Sequence, residues 1–104
     1  MHATVRRYEG VDKTRTDELT RKVNETLLPS LSKLPGFSGY YLIEAENGVM
    51  TSIGLFDNSS QGVDSTRIAS EWIRDEKLEN VLPNPPKVTD GEIIAHKTSN
   101  GFSA

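Results

Sequence analysis

Apolar and polar positions recur along this chain with periods that switch between two and about 3.6, and the switches divide it into elements. His2 to Glu9 is short, rich in Thr, Val and Tyr, and closed by Gly10, which reads as a strand. From Asp17 onward Leu19, Val23, Leu27, Leu31 and Leu34 fall four and three apart, with charged residues such as Glu18, Arg21, Lys22 and Glu25 between them. That is one apolar stripe on an amphipathic helix, with Thr14 and Thr16 as candidate N-caps. Pro29 removes a backbone donor and disfavours helical angles at Leu28, so a kink or restart is expected near Ser30 and a stop at Pro35-Gly36. Phe37 to Glu46 and Val49 to Asp57 then flank Asn47-Gly48, a pair that favours a type I′ turn and a two-residue hairpin loop. In that register Glu46 faces Val49, Leu42 faces Ile53 and Tyr40 faces Leu55, while Ala45 meets Met50 and Tyr41 meets Gly54. Large apolar groups then occupy both faces of the hairpin.

Asn58-Ser59-Ser60 offers a second helix cap, with a first turn weakened by Gly62. Ile68, Ala69, Trp72 and Ile73 form its stripe; Leu78, Val81 and Leu82 fall out of phase, which predicts a bend or a short separate helix. Pro83-Asn84-Pro85-Pro86 excludes helix and predicts an extended, stiff connector. After Asp90-Gly91, Glu92 to Lys97 reads as a last strand, and 99–104 as a frayed tail on a single domain of residues 1–98. The order β-α-β-β-α-β, with right-handed crossovers, is an α+β ferredoxin-like sandwich: four antiparallel strands with both helices on one face. Two helices leave the other face bare, and the hairpin is apolar there too. The expected remedy is a homodimer whose sheets pack face to face as an α+β barrel, with the Pro83 to Lys87 connector reaching over the partner's rim.

Composition narrows the chemistry. Twelve basic against fifteen acidic residues give a net charge of -3, the opposite of a nucleic-acid-binding footprint. No run approaches the roughly 20 apolar residues of a membrane span, and no apolar stretch follows Arg6-Arg7 as a secretory signal would require, so a cytoplasmic protein is expected. The absence of cysteine excludes disulfides, thiolate nucleophiles and Cys-based zinc sites. Dinucleotide, P-loop, nucleophile-elbow and zincin motifs are all missing, so no cofactor is expected. His2 and His96 stand on strands expected to be neighbours, but Asp90 and Glu92 fall at the wrong end to complete a metal site, and no metal is expected.

Phe37-Ser38-Gly39-Tyr40-Tyr41 after the Pro-Gly helix stop, the Leu55-Phe56-Asp57 strand end and the Trp72 helix resemble the dimeric α+β barrel superfamily. Within it the chain is similar to the small antibiotic-biosynthesis-monooxygenase-like proteins, over roughly His2 to Lys97. The resemblance implies a pocket between sheet and helices, and relatives that oxidise phenolic polyketides without metal or flavin, or bind and degrade haem. Trp72 matches the tryptophan those enzymes carry on the second helix. One turn earlier the monooxygenase pattern has asparagine where this chain has Ile68, and its late arginine has no counterpart beyond Lys97. The haem-degrading pattern asks for asparagine where the first strand offers Arg7, and for a histidine that is absent between Trp72 and His96.

Residue chemistry gives a parallel reading. Cofactor-free oxygenation needs a base, for which His96 is the candidate beside Trp72, and donors for the developing charge, for which Arg7, Tyr40 and Tyr41 are available. The plainer roles are core packing for Trp72, cross-strand packing for the tyrosines, and surface pairing of Arg7 with Glu9 or Glu44. The departures favour a homodimeric module that binds a small aromatic molecule near Arg7, Tyr40, Tyr41 and Trp72. The alternatives are a cofactor-free monooxygenase acting on a phenolic substrate and a structural dimerisation domain without ligand.

Overall fold

The computed structural model describes residues 1–97; the tail expected to fray, 99–104, lies outside them. Strands β1 (His2–Tyr8), β2 (Gly39–Glu44), β3 (Met50–Phe56) and β4 (Lys87–Glu92) form one sheet in the order β2-β3-β1-β4, with every neighbouring pair antiparallel. Two helical segments cross over between strands and pack on one face of it, around a core that includes Leu19, Leu27, Leu31, Met50, Ala69 and Leu78. This is the ferredoxin-like arrangement expected.

The first helix begins at Asp12, whose carboxylate accepts the Thr14 N–H at 3.0 Å, so the cap is Asp12 and neither threonine. A 3₁₀ turn (Lys13–Arg15) leads into α-helix (Thr16–Lys22), one π turn (Val23–Leu27) and a last α turn (Leu28–Leu31). The expected kink at Ser30 is thus displaced towards the N-terminus. Pro29 has no N–H and its ring would meet the carbonyl four residues back; letting Leu28 donate to Val23 widens the coil just before it and relieves that clash.

The Asn47-Gly48 turn forms with both residues at positive φ (60° and 72°), and Val49 N–H donates to Glu46 O at 3.3 Å. The register beyond it differs from the expected one. Ala45 N–H also donates to Val49 O, at 2.9 Å, so Ala45 and Glu46 together oppose one residue as a β-bulge. Every later pair moves by one: Glu44 faces Met50, Leu42 faces Ser52, Tyr41 faces Ile53 and Tyr40 faces Gly54. Burial explains the choice. This register puts Tyr40 and Leu42 beside Met50 and Phe56 under the helices, and sets Tyr41, Ile43, Ile53 and Leu55 on the bare face.

The second helix (Ser59–Asp75) starts with a capping box in which Asn58 Oδ1 accepts Gln61 N–H and Gln61 Oε1 accepts Asn58 N–H, at 3.3 and 3.2 Å. Gly62 has a packing reason: a Cβ there would lie 2.3 Å from Thr4 Oγ1, so the helix rests directly on β1. The helix closes in a Schellman motif, with Lys77 at φ 58° and Leu78 N–H on Ile73 O at 2.8 Å. Leu78, Val81 and Leu82 therefore enter the core from a loop, not from the bend or short helix their phase suggested. The last strand corrects a second expectation. It runs Lys87–Glu92, immediately after Pro86, because Val88 to Glu92 pair with β1; residues 93–97 carry no strand.

Candidate functional site

β1 is amphipathic the wrong way round for a simple core strand. His2, Thr4, Arg6 and Tyr8 point towards the helices while Ala3, Val5 and Arg7 point to the bare face. Arg6 is only 1% exposed. Its Nη1 donates to Ser65 Oγ at 3.3 Å and to Thr66 Oγ1 at 3.4 Å, both long contacts to neutral hydroxyls. Its Nε is buried without an acceptor, and so is Ser52 Oγ, its cross-strand neighbour, without a partner. Tyr8 and Tyr40 stand beside this group. Burial pushes both phenols above their usual range, and the Arg6 charge offsets part of that rise. Both stay protonated at neutral pH.

Two spaces adjoin these residues. Between sheet and helices a void of about 20 Å³ is bordered by Arg6, Tyr40, Leu42, Met50 and Trp72, with room for about one water. Next to it, between the second helix and β4, an open groove of about 380 Å³ is walled by Tyr8, Thr66, Ile73, Leu82, Val88 and the prolines of the connector. Tyr8 and Leu82 line both spaces, so they form the partition. The connector packs back onto its own chain here, and Asn84 Nδ2 donates to Glu9 O at 3.0 Å.

Of the residues singled out from the sequence, Tyr40 and Trp72 come together at the void. The Trp72 indole N–H donates to Thr26 Oγ1 at 2.6 Å, tying the second helix to the π turn of the first. Arg7 lies on the bare face and pairs with Glu9. Tyr41, 60% exposed, is on that face too. His96 is exposed beyond the end of β4. His2 Nε2 contacts Asp90 Oδ1 at 2.6 Å, which also accepts from Thr4 Oγ1 at 2.8 Å; the early start of β4 brings Asp90 to the end where it was not expected. No cluster of three or more His, Asp or Glu side chains fit to hold a metal ion occurs among the described residues. Nor is any described helix long and apolar enough to cross a membrane. Sequence reasoning passed over Arg6, Tyr8 and Val88. The available signal was the alternation of β1, which puts Arg6 and Tyr8 on one face and Arg7 on the other.

No protein-family model and no curated protein matches the chain. Solved structures do. A candidate antibiotic biosynthesis monooxygenase of Bordetella bronchiseptica superposes with a TM-score of 0.71 at 16% identity, over 90% of this chain and 97% of that one. A monooxygenase of Streptomyces coelicolor, in complex with nanaomycin D, gives 0.67 at 16% identity over 94% and 92%. A dimeric ferredoxin-like protein from an uncultured marine organism gives 0.68 at 11% identity over 95% and 92%. At these identities the likeness is one of fold, and it is the fold that the sequence resemblance implied.

Proposed function

We propose that this protein is a homodimer that binds a small, flat, apolar molecule in the groove between its second helix and β4. The observation that carries this reading is the groove itself. Its 380 Å³ falls in the range of small-molecule sites, and its walls are Tyr8, Ile73, Leu82, Val88 and proline rings. Val88 points to the helix side of β4 yet is 46% exposed, so apolar surface stands in a cleft that no described side chain fills. Proline walls lose little freedom when a ligand arrives, which favours planar guests. Dimerisation rests on the opposite face, where Val5, Tyr41, Ile43, Ile53 and Leu55 are contiguous and Ile43 is 45% exposed. The fold neighbour described as dimeric supports it. The test is calorimetric titration with a panel of planar bicyclic aromatics. Saturable binding at one per chain is expected, and it should vanish in a folded Val88→Glu variant. A panel without a binder sinks the reading.

The cofactor-free oxygenase stands second, because one structure sharing the fold is a monooxygenase holding nanaomycin D. In that reading Trp72 and His96 carry the reaction, and Arg7, Tyr40 and Tyr41 the binding. Oxygen uptake with an anthrone-like phenol, lost in folded Trp72→Phe and His96→Ala variants, would move it ahead.

A further inference from the structure

Behind the Tyr8 and Thr66 wall of the groove, at the small void, lies a charge that no described residue neutralises. A guanidinium is always protonated and carries five donors in a fixed fork. Arg6 Nη1 has only long contacts to the hydroxyls of Ser65 and Thr66, the phenol oxygens of Tyr8 and Tyr40 stand within reach of the guanidinium, and Nε is buried without an acceptor. Among the described residues no carboxylate forms an ion pair with it, although every other arginine of the chain has one. Tyr8 and Tyr40 remain neutral phenols and do not supply the missing charge. A buried cation is tolerated when an anion and hydrogen bonds replace its water; here the hydrogen bonds are long and neutral, and no described residue supplies the anion. Arg6 Nε–H is left over, and on the same face of the sheet the Ser52 hydroxyl has no well-formed bond, with the Tyr40 phenol its near neighbour. The void at Arg6 accommodates one oxygen-sized atom.

Resting on the groove reading, we propose that Arg6 is the counter-ion for an organic monoanion, a compact oxyanion carried on the flat apolar body that fills the groove. The path exists in outline. Thr66 and Tyr8 line the groove and adjoin Arg6, so they stand between the ligand body and the charge. Thr66 is a loose gate, held by a 3.4 Å contact to Arg6 Nη1 and a 3.3 Å bond to Gly62 O. A carboxylate or phenolate entering there would take the unspent Nε–H and approach Ser52, and its ring would lie against Tyr8, Leu82 and the prolines. Charge-assisted bonds in a dry site would then select anions over neutral isosteres.

The experiment is calorimetric titration of the full chain, at fixed ionic strength, with sodium 2-naphthoate and with 2-naphthalenemethanol, which share a ring body and differ in charge. Naphthoate is expected to bind at least about tenfold more tightly. In Arg6→Met the preference should fall to within about twofold while the affinity for the alcohol is kept, a pattern a merely structural arginine would not produce. Ser52→Ala, which leaves the charge in place, provides a milder variant and should reduce the preference by about threefold. Equal affinities in the unmodified protein would overturn the counter-ion and leave the groove reading standing. Binding of neither probe would sink both. A naphthoate preference that survives in folded Arg6→Met would overturn the role of Arg6.

Discussion

A buried guanidinium with no counter-ion among the described residues makes Arg6 a burden on the ligand-free protein. Methionine has similar reach and no charge, and its loss of hydrogen bonding is small, since Ser65 already donates to Gly62 O at 2.7 Å and Thr66 to the same carbonyl at 3.3 Å. Arg6→Met is therefore expected to stabilise the free protein by about 1 kcal/mol or more, read as a rise in melting temperature. A clear fall would make Arg6 a structural centre and not a binding one. The two tyrosines set an alkaline limit. Both titrate above their ordinary value of 10.0 because burial disfavours the phenolate, with Arg6 only moderating the effect. Above pH 10 the unfolded chain releases protons that the folded one retains, so the stability from these groups is complete below that pH and declines as pH rises towards the folded values. The share of tyrosinate absorbance due to Tyr8 and Tyr40 should appear together with unfolding; early titration of both in a still-folded protein would contradict the burial.

Among the elements, the two helices and the hairpin turn were legible because each rests on local rules. The Leu19-Val23-Leu27-Leu31 stripe is buried throughout, and Asn47-Gly48 takes the positive φ values its residues favour. Gly48 also sits where a Cβ would come within 3.2 Å of Val11 O, so Gly48→Val should cost at least about 1 kcal/mol in chemical denaturation. What escaped was decided at a distance. The bulge at Ala45-Glu46 is set by which residues the helices bury, and the start of β4 by pairing with a strand near the other end of the chain. The choice of Arg7 over Arg6 for the site failed for the same reason, since the two lie on opposite faces of β1 and only helix packing decides which face is covered. Sequence period identifies which residues share a face, but not which face the helices cover.

On the scale of the molecule, the sheet separates two tasks. Its covered side holds the groove, and its bare side carries Val5, Tyr41, Ile43, Ile53 and Leu55. Joining two bare sides would make an interface of standard size, about 1,200–2,000 Å² in total. Ile53→Glu places a charge among these residues and is expected to yield monomers of 11.5 kDa by light scattering where the parent shows twice that mass. A parent that is already monomeric would refute the dimer. The bulge at Ala45-Glu46 also governs which changes of length the chain can survive. Losing Glu46 would leave Ala45-Asn47-Gly48-Val49 as a plain two-residue hairpin, with the existing pair of Ala45 and Val49 closing it and Glu44 still facing Met50. Losing one residue inside β2 would instead turn half of that strand over, exchanging core and partner-facing side chains. A Glu46 deletion should therefore melt cooperatively near the parent, whereas a Leu42 deletion should not fold. The hairpin tip is where natural shortening and lengthening of this chain can occur without scrambling its two faces.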